Sequence, residues 1–179
     1  WSKSFGGGES GLDMVQSAAI DGQGNIIVAG YTESNDGDIF ENNGLRDGWV
    51  IKLASDGNML WQQSIGGSSY DLFNDIVSTD DGGYIAVGST ESTDGRVNNS
   101  NPADLLGGSN FWIVKMSSLG VIEYQGAVGG SSDDNAISVA SLSPSLFVVA
   151  GVSSSSDYYI NQNNGGRDIW ISSLTADSI

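Results

Sequence analysis

Residues 61–67 read Trp-Gln-Gln-Ser-Ile-Gly-Gly, and the same phrase occurs at 1–7 as Trp-Ser-Lys-Ser-Phe-Gly-Gly and at 124–130 as Tyr-Gln-Gly-Ala-Val-Gly-Gly. A motif that returns at near-constant spacing marks a repeat, in which each unit buries its apolar face only by stacking on its neighbour. The units are 1–60, 61–123 and 124–179. Downstream the agreement continues through Asp13, Asp71 and Asp134, then Gly30, Gly88 and Gly151. Asp36, Asp94 and Asp157 follow, and last Trp49, Trp112 and Trp170. Two short insertions, near 8–11 and 98–103, fall in polar stretches where extra residues are tolerated.

Within a unit the apolar runs are short, rich in β-branched and aromatic residues, and bounded by Gly, Asp, Asn or Ser, which predicts strands and not helices. In the first unit four strands are expected, at 14–20, 25–32, 48–54 and 58–65. Asp21-Gly22-Gln23-Gly24 and Ser55-Asp56-Gly57 read as tight hairpin turns, because glycine supplies positive φ and aspartate caps its own turn. Both faces of the second strand are apolar, so it is expected to be covered on both sides. The third, with Trp49 and Ile51 on one face and Val50 and Lys52 on the other, is expected nearer the outside. Gly30, Gly88 and Gly151 predict close approach of neighbouring backbone.

The chain is acidic, with 22 Asp and Glu against 6 Lys and Arg and a net charge of −16. That charge repels nucleic acid and anionic membrane surfaces, and it draws divalent cations, calcium above all, to converging carboxylates. With neither cysteine nor histidine, disulfides, thiolate zinc sites, cysteine nucleophiles and the commonest general base are excluded. No apolar run approaches the roughly 18 residues of a spanning helix, so membrane insertion is not expected. The first residues lack a targeting pattern, and any leader is expected to have been removed.

Four antiparallel strands per unit, one sheet stacked on the next, is the layout of a β-propeller blade. The fold class expected is therefore all-β, in three tandem four-stranded blade-like repeats. Three blades fall short of the about four to eight that close a ring. Residues 1–7 match a fourth strand and the sequence stops before its last fourth strand, so self-association through terminal strands is expected, or membership of a longer array. A threefold β-trefoil or β-prism is the rival. The phrases at 61–67, at 80–92 (Asp-Asp-Gly-Gly-Tyr-Ile-Ala-Val-Gly-Ser-Thr-Glu-Ser) and at 111–116 (Phe-Trp-Ile-Val-Lys-Met) resemble the delta-60 and related β-propeller repeats of secreted and surface proteins in bacteria and some archaea. The resemblance implies a propeller fold and a secreted or cell-surface location, and no activity. The third unit departs from it, with Ser143-Pro-Ser-Leu for the Asp-Gly turn and four serines from Ser153 for Thr-Glu-Ser.

Residues 33–38, Glu-Ser-Asn-Asp-Gly-Asp, gather carboxylates around a glycine, as a hard cation requires. Asn35, Asp36 and Asp38, with Asp94 and Asp157 at the equivalent places, are the candidate calcium ligands. The competing reading has these aspartates accepting hydrogen bonds from their own loop. Asp13, Asp71 and Asp134 are expected to join units by accepting backbone amides, and the three aligned tryptophans to be wedges between units. Phe40, Tyr158 and Tyr159, beside Asn42, Asn43 and Asn161, are the candidate glycan-binding residues. Glu33, Glu41 and Glu91 supply acids but no singled-out pair for glycoside hydrolysis. No enzyme is expected. The expected function is an extracellular binding or adhesion module, with a subunit that assembles into a dimeric ring or filament by strand exchange as the alternative.

Overall fold

The computed structural model describes residues 1–8, 11–97, 107–143, 145–160 and 162–175. The expected insertion at 98–103, two residues of the one near 8–11, Pro144 of the third-unit turn and Asn161 lie outside the described residues. The fold is all-β, with no helix among the described residues and no closed barrel. Sheet 1 comprises β1 (Asp13–Ile20), β2 (Ile26–Thr32), β3 (Asp47–Leu53) and β4 (Met59–Ile65). Sheet 2 comprises β5 (Asp71–Ser78), β6 (Tyr84–Thr90), β7 (Asn110–Met116) and β8 (Ile122–Val128), and sheet 3 comprises β9 (Asp134–Ser143), β10 (Leu146–Ser153) and β11 (Asp168–Thr175). Within each sheet, sequential strands are antiparallel neighbours. The second and third sequence repeats thus open in the last strand of the sheet before, β4 and β8.

The turn chemistry is as read. Asp21 Oδ1 accepts from the amides of Gln23 and Asn25, each at 2.9 Å, and Gly24 and Gly57 take φ of 79° and 81°. The first strand of each sheet carries a bulge opposite the strand glycine, between Val15 and Ser17, between Phe73 and Asp75, and beside Gly151. A Cβ built on Gly30 or Gly88 would overlap the carbonyl oxygen of Met14 or Leu72. The close approach expected at these glycines is that of the bulged neighbouring strand.

The sheets stack face to face. Ile27, Ala29 and Val50 of sheet 1 bury against Phe73, Tyr84, Ala86 and Trp112 of sheet 2. The other face of sheet 2, with Ile85, Val87, Phe111 and Ile113, buries against Phe147, Val149 and Trp170 of sheet 3. Trp112 stacks on Phe73 of its own sheet with centroids 4.6 Å apart and buries against sheet 1, and Trp170 stacks on Phe111 of sheet 2 at 4.4 Å, so these two tryptophans are wedges between sheets. Two expectations need correction. Every residue of β3 and β7 is buried, so the third strand is not an outer one. Lys52 lies inside because Asp21 Oδ2, 3.1 Å away, offsets its charge while Tyr84 packs alongside. Among the described residues sheet 3 has three strands and not four, and residues 1–7 form no strand of their own.

Candidate functional site

Where β4 hands over to β5, a carboxylate of the new sheet clasps the Gly-Gly linker. Asp71 Oδ2 accepts from the Gly67 amide at 2.8 Å and from Ser92 Oγ at 2.7 Å, while Thr90 Oγ1 donates to Oδ1. Asp134 repeats the node with Gly130, Ser155 and Ser153, and Asp13 with Gly7, Ser34 and Thr32. The aspartates were legible in the sequence and their hydroxyl partners were missed. The signal was there: Thr or Ser stands two residues after each strand glycine and Ser four after, even in the third unit, where the serine run keeps both hydroxyls.

The candidate calcium ligands are not gathered. Asp36, Asp94 and Asp157 lie on the loops after β2, β6 and β10 of three successive sheets, each accepting an amide from the Gly-Gly segment that precedes its sheet, at Gly8 (2.8 Å), Ser68 (2.8 Å) and Ser131 (2.9 Å). These are bonds across the junction and not within the aspartate's own loop, as the competing reading had it. The Ser131 amide draws Asp157 below the usual carboxylate range. Asp38 Oδ2 accepts from the Gly6 amide at 3.1 Å, and Asn35 is exposed on the same loop. Among the described residues no group of three or more acidic side chains is arranged to hold a metal.

The candidate glycan-binding residues divide between two sheets. Phe40, 85 % exposed, is on the β2–β3 loop with Asn42 and Asn43, and exposed Tyr158 and Tyr159 are on the β10–β11 loop, with sheet 2 between. Asn42 Oδ1 accepts from the Gly44 amide, and the Asn43 amide and side chain both donate to Asp47 Oδ2, so these two shape the loop. Tyr158 takes φ of 53° where the other units have Gly37 and Gly95, a bulky side chain in the left-handed region. Glu33 is engaged by Arg46 at 2.5 Å, and Arg46 stacks over Tyr31, 4.0 Å from the ring centroid.

Asp47 faces Asp71 across the junction and is wholly buried, with Oδ1 unpartnered among the described residues. Burial, and then the charge of Asp71, push its carboxyl above the ordinary range against the bonds from Asn43 and Ser64. An acid raised in the folded state binds its proton more tightly there, so its contribution is favourable below the unfolded value of 3.8 and lost as pH rises through the folded one. Asn110 occupies the equivalent place in sheet 2. Asp47→Asn should therefore raise stability by about 1 kcal/mol at pH 7, with the gain vanishing near pH 3, as read by urea unfolding at both values.

The most informative arrangement lies at the two ends of the stack. Residues 1–8 sit on sheet 1 as 61–68 sit on sheet 2. Trp1 Nε1 donates to Ser55 O at 2.9 Å and Trp61 Nε1 to Ser118 O at 3.1 Å, each indole lying over the turn glycine, Gly57 or Gly120. Gly6 O accepts from the Asp38 amide as Gly66 O accepts from that of Arg96. Residues 1–5 thus take the place of a fourth strand, paired to no strand among the described residues. Beside them opens an apolar cavity of ≈ 320 Å³ lined by Trp1, Phe5, Met14, Val28, Trp49 and Ile51. At the far end, the outer edge of β11 has no partner strand among the described residues, and Ile169 and Ile171 are 79 % and 65 % exposed. The sequence matches no protein-family model and no curated protein.

Proposed function

We propose that the chain is a non-catalytic structural subunit working outside the cell, whose blade-type sheets are completed by strands exchanged between chains. The observation that carries this reading is the outer edge of β11, unpaired among the described residues, with Ile169 and Ile171 exposed beside it. A strand edge and an apolar sheet face left open are templates for association, and completing them with another strand is a recurrent mode of assembly. Two chains would bring six sheets together, within the range that closes a propeller ring.

Light scattering after size exclusion tests it. The chain should elute at twice its 18.6 kDa mass, and deletion of residues 1–5 should give a folded monomer by circular dichroism. A full-length chain that stays monomeric at high concentration would end the reading. Adding calcium and then chelator in the same run tests the cation expected at Asn35, Asp36 and Asp38.

Adhesion by glycan recognition is the second reading, favoured by the exposed aromatics Phe40, Tyr158 and Tyr159 on loops of a rigid frame. Binding on a glycan array that is lost in Phe40→Ala and Tyr159→Ala would support it.

A further inference from the structure

We propose that Tyr158 and Tyr159, at the corner of the β10–β11 loop, form a stacking platform for a neutral saccharide, held out by a turn that glycine would fit with less strain. The inference rests on the glycan reading above and adds the site and the class of sugar.

The same tight turn stands in the long loop of each sheet. Ile39 N donates to Asp36 O at 3.1 Å, Val97 N to Asp94 O at 3.3 Å and Ile160 N to Asp157 O at 2.9 Å, so two residues make the corner each time. The first of the two has positive φ, 66° at Gly37 and 68° at Gly95, where turns of this hand ordinarily carry glycine, asparagine or aspartate. Tyr158 takes 53° at that place. A Cβ built on Gly37 would lie 2.5 Å from Gly6 O, and one on Gly95 2.7 Å from Gly66 O. The position thus disfavours a side chain through close approach of the Gly-Gly segment as well as through its dihedral. The second corner residue serves the fold in sheets 1 and 2. Asp38 Oδ2 accepts from the Gly6 amide, and the Arg96 guanidinium donates to Gln63 Oε1 and Ser64 O. In sheet 3 both corner positions carry an aromatic ring, 59 % and 55 % exposed.

Strain present in one copy of a repeat whose other copies avoid it points to a task other than folding. The corner is also firmly held. Asp157 accepts from the Ser131 amide at 2.9 Å on one side, and on the other Ile160 is buried in the core between sheets 2 and 3. Rings presented between two such anchors lose little freedom on binding, and tyrosine offers a broad apolar face with a polar tip at small entropic cost. The class of ligand follows from the surroundings. A sugar ring lays its C–H face on an aromatic ring and turns its hydroxyls to neighbouring polar groups. Ser156, Gln162 and Asn164, exposed on the same loop, offer a hydroxyl and two amides. The chain carries −16, so an uncharged sugar suits it and an anionic one is repelled.

Titration calorimetry of the full chain with cellohexaose, chitohexaose and mannohexaose, beside a hyaluronan hexasaccharide, tests the proposal. At least one of the neutral sugars should bind, and the anionic one should not. Tyr158→Gly should weaken that binding by roughly tenfold and yet raise the urea midpoint, because relief of the corner outweighs the added freedom of the unfolded chain. Tyr158→Phe should keep the binding. A glycine variant that binds as the wild type does, while Phe40→Ala loses binding, would move the site to sheet 1 and overturn the inference with the glycan reading intact. A lowered midpoint in Tyr158→Gly would make the ring a packing element and overturn the strain argument, and a preference for hyaluronan would overturn the neutral class. Binding to none of these sugars would overturn both the inference and the reading it rests on.

Discussion

Trp112→Ala should lower the free energy of unfolding by about 4 kcal/mol while leaving the far-UV spectrum at low denaturant that of a β protein. The indole is fully buried, stacks on Phe73 at 4.6 Å and an interplanar angle of 14°, and donates to Gln125 Oε1 at 3.2 Å. Truncation removes the contact area, the stacking and the partner of a glutamine at once, in a site walled by strands on both sides that cannot collapse. Trp170 holds the same place in sheet 3 but is only partly covered, so Trp170→Ala should cost clearly less in the monomer. Equal losses from the two, in urea melts followed by circular dichroism, would show that the junction between sheets 1 and 2 is not the tightly packed one.

Asp21→Asn should cost about 3 kcal/mol, from a charge stranded and not from a cavity. Lys52 is buried with Asp21 Oδ2 at 3.1 Å, Ser118 O at 3.3 Å and Tyr84 nearby, and Tyr84 Oη donates to the same carboxylate at 2.9 Å. Burial alone would raise Asp21, yet the bonds from Asn25, Tyr84 and Gln23 more than reverse it and hold it well below the usual carboxylate range. An acid depressed in this way contributes stability that is fully present above the unfolded value of 3.8 and lost as pH falls through the folded one. Asp81, held down to about 2 by Thr79, Gly83 and Lys115 against its burial, acts in the same direction. The carboxamide oxygen keeps the acceptor for the Gln23 and Asn25 amides, so the loss falls where Lys52, Tyr84 and the Asn25 side chain meet Oδ2. Adding Lys52→Met should recover most of it, because removing both members of a buried pair is far cheaper than removing one. Failure of the second change to rescue would place the cost in the turn.

The strands and their order were legible because period, turn glycines and β-branched runs agreed three times over. What eluded the sequence was the two-sided cover of the third strand. Lys52 at an alternating position looks like a solvent-facing residue, and only a partner from the β1–β2 turn, far along the chain, makes its burial tolerable. The same blindness affected the loop aspartates. Glu33 and Glu91 drew attention to a cation, while Thr90 and Ser92 beside Glu91, which grip Asp71, read as filler. A hydroxyl's partner is set by the fold and leaves a trace only through its repeated offset. The described glycan candidates lie in loops, and their division between the loops of sheets 1 and 3 follows from stacking order, which periodicity does not specify.

Hydrogen exchange at the β11 segment, residues 168–175, tests the central claim most directly, because amides on an unpaired edge exchange freely and those in a completed sheet do not. In the associated chain, protection of this segment should approach that of β3 and β7, and it should fall selectively on dilution or on deletion of residues 1–5. Free exchange across 168–175 at every concentration would contradict the account: β11 would then be a permanent edge, and the fourth-strand segment at the opposite end would serve no second chain.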